Sequence, residues 1–340
     1  MVNRDNSFDL IRHAAALAVL ISHHFALSGL EEPGIQGFKS VGSIAVLCFF
    51  SISGFLITQS FLNTSSLKSY MTKRVARIFP ALIACAFMMV YIAAPLFSNP
   101  GGWGVVFSTD ALVDLLQISG FGRAKIEGIT NDFIFNQSFN GSLWTLKIEF
   151  GFYIVLAVIL TTLRRAATPL MMTLAFCIAS YIAAHSTHPL APKLLVYSMT
   201  GIAFFVGSAL YFYRNMLSGS KSKVLLVTLS TLVILVSLQT PLVMIGATLG
   251  VSLLTLSIGT LLPDRIIKSR FDISYGMYLY AFPVQQLLIN KTTLGFYASM
   301  SASVVVVILL ATLSWVLIEK PALNHVQMKS RARFHTAIPT

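Results

Sequence analysis

The stretch VGSIAVLCFFSISGFLITQSFLN at residues 41–63 has no charged side chain and is apolar over most of its length. A helix that crosses the hydrocarbon core of a membrane needs about 20 such residues, so this stretch predicts a transmembrane helix. The whole 340-residue chain has the same character, with 56% hydrophobic and only 11% charged residues. Soluble domains carry about 25% charged residues. The composition therefore excludes a soluble enzyme and a disordered chain.

Similar apolar segments recur along the chain and predict an all-α, polytopic integral membrane protein with about ten transmembrane helices. Pro241 is expected to turn the chain between the seventh and eighth segments. The longest connection, 98–142, is long enough to fold over one face of the membrane. We predict a transmembrane domain at 1–325 and a basic cytoplasmic tail at 326–340. The predicted segments are 8–30, 41–63, 77–97, 143–163, 168–184, 194–213, 223–239, 242–262, 271–290 and 296–318.

Lysine and arginine are distributed unevenly between the two sides of this arrangement. With the N-terminus inside, the inner segments hold 17 of the 24 basic residues and the outer segments hold 5. Arg12 and Lys147 lie within spans. The positive-inside rule therefore predicts that both termini are cytoplasmic. The net charge of +12 is explained by these inner loops, so we expect no nucleic acid among the partners.

Two ionisable side chains in the first span are the sharpest functional candidates, because such groups cost about 2.5–3.5 kcal/mol in a bilayer. Arg12 and His23 share one helix face, about 16 Å apart along the axis. We place His23 at a depth similar to that of Glu149 in the fourth span, and predict that this carboxylate orients the imidazole. The alternative is that each group has another partner for packing. His24 is the weaker candidate.

A second cluster is predicted at the inner surface. Arg74 and Arg77 are three residues apart at the start of the third span, and Arg12 ends at a similar depth. Tyr275 and Tyr278 open the ninth span nearby. Arginines and tyrosine hydroxyls together make a good phosphate site. The alternative interpretation is ordinary positive flanking with an aromatic belt.

Small residues occupy the middle of the second span. Gly54 is best explained by close helix packing. Ser53 could donate a hydrogen bond across the bundle.

Six motifs follow one another along the chain: Arg12-x10-His23, FFSISGFLIT at 49–58, KRVARIFP at 73–80, GSLWTLKIE at 141–149, ISYGMYLY at 273–280 and Glu319-Lys320-Pro321. In this order they resemble the membrane-bound acyltransferase-3 family over residues 8–321. The resemblance is to the stand-alone type without a C-terminal esterase-like domain. The sequence departs from the family at two places. Tyr280-Ala281-Phe282-Pro283 stands where a Tyr-Leu-Trp-His-type sequence is common, and Lys147 stands where many members are apolar.

The resemblance implies O-acetylation of a bacterial surface polysaccharide or related glycan, with acetyl-CoA used from the cytoplasm as donor and no metal. His23 matches the family's essential histidine, and Arg12 matches its partner. Arg74 and Arg77 match the arginines associated with donor binding. Glu149 matches the acidic residue after the Leu-Trp motif.

The acceptor would be a hydroxyl of a lipid-linked or surface glycan, in the bacterial inner membrane and among membrane lipids. Candidate acceptor contacts are Ser53, Trp144 and His24. His23 would act as general base or would carry the acetyl group itself. Succinyl or another acyl donor remains open. The competing hypotheses are a proton-coupled transporter or flippase of a lipid-linked sugar, an acyltransferase acting on lipids or proteins, and a structural subunit, which explains the buried charges poorly.

Overall fold

The computed structural model describes residues 6–64, 66–98, 102–126, 128–217, 219–264, 266–267 and 271–335. Within these ranges the chain is predominantly helical and carries many membrane-length helices, which confirms the predicted all-α, polytopic fold. The α-helices are α1 (Phe8–Leu27), α2 (Val41–Leu62), α3 (Leu67–Phe87), α4 (Ala94–Phe97), α5 (Thr109–Ser119), α6 (Trp144–Thr162), α7 (Ala167–Ala184), α8 (Ala191–Phe212), α9 (Ser220–Ser237), α10 (Val243–Leu261), α11 (Ser274–Lys291), α12 (Phe296–Ser314) and α13 (Lys320–His335).

Every predicted segment overlaps one of these helices. In the described part of the chain, nine helices are long and apolar enough to cross a membrane. Helix α11 is not one of the nine, and its second half includes the polar residues Gln285, Gln286 and Asn290. Pro241 lies in the turn between α9 and α10, as predicted.

Two helices are longer than their predicted segments. The third begins at Leu67, where the Ser66 side chain accepts a hydrogen bond from the Ser69 amide, and it continues through a π-helical stretch to Phe97. The last continues through the π-helical stretch Trp315–Glu319 to His335. Most of the predicted tail is therefore helical, and its residues 336–340 lie outside the described part.

The chain forms two compact units, of which the first comprises Met1–Val19, Pro33–Thr64 and Gly151–Asp272. In this unit α2 and α8 touch through their backbones. A Cβ on Gly54 would lie 1.8 Å from the Phe204 carbonyl oxygen, which confirms the packing role predicted for this glycine. The Ser53 hydroxyl lies 3.2 Å from the Tyr153 hydroxyl, so the predicted hydrogen bond across the bundle is also present.

The second unit comprises Leu20–Glu32, Ser65–Phe150 and Ile273–Thr340. The buried helix α11 runs through it, accompanied by residues 134–142. This stretch is largely non-helical. The Ile134 amide donates to Asn290 Oδ1 at 2.9 Å, and Asn140 Nδ2 donates to the Leu279 carbonyl at 2.9 Å. This part of the connection 98–142 therefore follows α11 for about 16 Å.

Polar groups of α11 explain why this extended stretch is tolerated. Non-helical backbone at membrane depth must have its hydrogen bonds satisfied by protein or water. Gln286 Nε2 donates to the carbonyls of Phe135 and Ser138 at 2.8 and 3.1 Å. Gly141 is required for the close approach, since a Cβ there would lie 2.7 Å from the Phe282 ring.

Candidate active site

His23 lies on the next-to-last turn of α1, in the second unit. Its ring meets the Phe282 ring edge-on, with centroids 5.4 Å apart. Among the residues that the structure describes, neither imidazole nitrogen has a hydrogen-bond partner. The Glu32 carboxylate accepts a hydrogen bond from Ser22, the residue directly before His23. The imidazole is therefore packed against an aromatic ring with a carboxylate near it, and its catalytic role stays a prediction.

Sequence reasoning missed Glu32, because it lies five residues beyond the end of α1. The connection folds back, and the Ser22 hydroxyl donates to Glu32 Oε2. The sequence did contain a signal for this reversal. Ser28-Gly29 follows the last turn of α1 and precedes Glu31 and Glu32, and a glycine just after a helix commonly reverses the chain direction.

Helix α6 begins beside Tyr278, whose hydroxyl donates to the Ser142 carbonyl at 2.7 Å. His23 contacts Phe282, one helical turn further along α11. The depth match predicted between His23 and Glu149 stays a prediction, as does the catalytic role of Glu149.

His24 is fully buried within a hydrogen-bond network. Gln285 Nε2 donates to the Leu20 carbonyl at 2.8 Å and lies 3.2 Å from His24 Nδ1. The Nδ1 atom therefore accepts, and Nε2–H donates to the Phe296 carbonyl at 3.1 Å. Both nitrogens serve packing, so the acceptor contact predicted for His24 gains no support.

Arg77 is neutralised within the second unit. Its Nη1 atom lies 3.5 Å from Oε2 of Glu319, which is 2% exposed. The Ser314 hydroxyl donates to Glu319 Oε1 at 3.1 Å. The guanidinium also lies 5.5 Å from the centroid of the Tyr275 ring. Two of the sequence motifs, around Arg77 and Glu319, thus form one buried ion pair.

The tyrosines predicted to bind phosphate are engaged by the protein. The Tyr275 hydroxyl donates to the Ile78 carbonyl at 2.9 Å, and Tyr278 is bonded to the start of α6. Arg74 lies 5.9 Å from the centroid of the Tyr70 ring. The phosphate contact predicted for Arg74 stays a prediction.

Arg12 belongs to the first unit. Its Nη1 atom lies 3.0 Å from Asp272 Oδ2 and 3.8 Å from Asp9 Oδ1. The guanidinium is thus balanced by two carboxylates, which any phosphate would have to replace. Trp144, the first residue of α6, is 43% exposed, and its predicted role in acceptor binding stays a prediction, as does that of Ser53.

Comparison with known proteins identifies the reaction class. Residues 5–319 match the acyltransferase-3 family model, which is described as an acyltransferase domain. An O-acetyl transferase of Shigella phage Sf6 is 37% identical over 94% of this chain and 96% of that protein. Nodulation protein 10 of Rhizobium leguminosarum bv. viciae is 28% identical over 94% of this chain and 93% of that protein. No solved structure matches the chain. The chain therefore belongs to the acyltransferase-3 family and is a multi-pass membrane acyltransferase.

Proposed function

We propose that this protein transfers an acetyl group from cytoplasmic acetyl-CoA to a hydroxyl of a lipid-linked or cell-surface glycan in the bacterial inner membrane. The proposal rests above all on His23, an imidazole within a membrane span whose nitrogens have no hydrogen bond among the described residues. The similarity to a phage O-acetyl transferase supports acetyl as the acyl group. The comparisons favour this function over the transporter hypothesis.

His23 is proposed to act by one of two routes. As a general base, it takes the proton of the sugar hydroxyl while the oxygen attacks the thioester carbonyl, and the departing CoA thiolate receives that proton. As a nucleophile, it first takes the acetyl group as the carbon–sulfur bond breaks and CoA leaves as a thiolate. It then passes the acetyl group to the hydroxyl oxygen as the bond to His23 breaks, and the hydroxyl proton is passed on to the thiolate. Both routes end with an acetyl ester and free CoA thiol.

The donor phosphates are proposed to bind Arg74, because a guanidinium suits phosphate geometry. Arg77 would contribute less, since Glu319 already balances its charge. Glu149 is proposed to hold the sugar hydroxyl and Trp144 to stack on a sugar ring. Arg12 is proposed as the partner of His23 along the shared face of α1.

The test uses membranes that contain the protein, a bacterial glycolipid pool and radiolabelled acetyl-CoA. We expect label in the glycan fraction, released as acetate by mild base, and none with membranes lacking the protein. A parallel reaction without glycolipid separates the routes, since acid-labile label trapped on the protein indicates an acetyl-histidine. Failure to label the glycan, together with absence of acetyl-CoA binding in a direct titration, would favour the transporter hypothesis instead.

A further inference from the structure

The connection after α1 reverses the chain in a defined way. The Leu30 amide donates to the Phe25 carbonyl at 2.9 Å, and the Gly29 amide donates to the Ala26 carbonyl at 3.1 Å. This pair of bonds is the Schellman arrangement that ends many helices. It needs a left-handed residue, and Gly29 has φ of 74°. The chain therefore turns back toward the helix that it has just left.

This reversal returns Glu32 to the level of Ser22, more than one turn inside the end of α1. The Ser22 hydroxyl donates to Glu32 Oε2, and Ser22 is fully buried. Ser22 directly precedes His23, so this bond holds the Glu32 carboxylate on the residue next to the imidazole. Glu31, the neighbouring carboxylate, is exposed. Two adjacent glutamates thus have different surroundings, and only Glu32 is bonded to the residue next to His23 among the contacts of the described residues.

The chemistry proposed for His23 creates a positive charge on its ring. A general base becomes an imidazolium when it takes the hydroxyl proton. A nucleophile becomes an acetylimidazolium when it takes the acetyl group. A fixed carboxylate stabilises either cation more than it stabilises the neutral ring. Phe282, which packs against the imidazole, supplies no charge.

We infer that Glu32 is a positioning residue for this acyltransferase: held by Ser22, its carboxylate stabilises the cation that His23 forms during acetyl transfer. The inference rests on the proposed function for the role of the cation. The pairing of Glu32 with Ser22, the residue next to His23, does not depend on that function.

The kinetic test compares Glu32→Gln with the matched control Glu31→Gln. Glutamine keeps the size of the side chain and can still bond to Ser22, so the change removes mainly the charge. We expect kcat to fall about 10- to 100-fold, where each tenfold loss corresponds to about 1.4 kcal/mol of lost transition-state stabilisation. The KM for acetyl-CoA should stay unchanged in both variants, and Glu31→Gln should keep the wild-type kcat.

Chemical rescue adds a result that a structural role would not produce. Formate, added to the Glu32→Ala variant, should restore part of its activity, whereas uncharged formamide should not. Formate should not restore His23→Ala. Equal kcat values for Glu32→Gln and Glu31→Gln would overturn the inference.

A last measurement does not depend on acetyl transfer. Labelling of His23 by diethyl pyrocarbonate, followed by mass spectrometry at a series of pH values, reports directly on the imidazole. We expect the midpoint of labelling to be displaced in Glu32→Gln and unchanged in Glu31→Gln. A displaced midpoint in a protein that transfers no acetyl group would refute the proposed function while supporting the Glu32–His23 coupling. An unchanged midpoint would refute that coupling.

Discussion

Two polar sites in the second unit each contain a basic side chain, a glutamate and a serine, but their contacts differ. At the arginine site, Arg77 lies against a buried carboxylate, Glu319, which Ser314 also binds. At the histidine site, the carboxylate of Glu32 is bonded to Ser22, and the ring nitrogens of His23 have no bond among the described residues. The first site is an ion pair between two side chains of the protein. The second holds a carboxylate on the residue next to a histidine that we propose to be catalytic. An ionisable residue in a span is therefore not by itself evidence of catalysis.

Replacement of His23 by alanine should give the largest effect in this comparison. Transfer of acetyl label to glycan should fall by at least about 100-fold, because general acid–base catalysis contributes about 10²–10⁴-fold. Membrane insertion and thermal stability in detergent should stay near wild type, since the nitrogens make no bond within the described part of the chain. His188→Ala, at an exposed position in a loop, is the control. Near-normal transfer by His23→Ala would show that His23 does not take part in catalysis.

Loss of the Glu319 carboxylate should act on stability. Glu319→Ala leaves the Arg77 charge poorly compensated inside the protein, and breaking a buried pair costs about 3 kcal/mol. Unfolding of the purified protein in detergent measures this loss, with Glu31→Ala as the exposed control. In the double variant Arg77→Leu/Glu319→Leu, much of the loss should be recovered. A change confined to the KM for acetyl-CoA, with stability unaffected, would show that Arg77 and Glu319 form a donor site instead.

Arg74 should behave differently from Arg77, its neighbour on α3. Arg74→Ala should weaken acetyl-CoA binding about 10- to 150-fold, the equivalent of one charge-assisted contact worth about 1.5–3 kcal/mol. Titration of the purified protein with the donor measures this. Lys68→Ala removes an exposed cation from the same helix and should leave binding within about twofold of wild type at physiological salt. Equal losses in both variants would indicate general attraction to the basic surface.

Tyr278→Phe should give the smallest effect. The hydroxyl donates to the Ser142 carbonyl, and the loss of one such bond costs about 1 kcal/mol of unfolding free energy. The KM for acetyl-CoA should not change, in contrast to the phosphate role predicted from the sequence. Tyr297→Phe, at a 76% exposed position on α12, should have no effect on stability. A raised KM for acetyl-CoA in Tyr278→Phe would support the role in phosphate binding that the sequence predicted for this tyrosine.

The sequence predicted the helices well because the bilayer imposes a length and a composition on each span. The sequence did not predict which groups the polar side chains would contact. The contacts between residues 134–142 and α11 were not predicted, because hydropathy does not register that Gln286 and Asn290 can satisfy extended backbone.

The amino-acid sequence by itself determined the membrane fold, the apolar segments and the placement of His23 on a helix within the membrane. Those features follow from local composition and from the helical repeat. Only the tertiary structure decided which partner each charged side chain has. Glu319 meets Arg77 and Glu32 meets Ser22 because distant or reversed segments of the chain come together, and no local pattern specifies that. The partners of a buried charge depend on the whole fold, because the energy of interaction between two charges is larger in a medium of low dielectric constant.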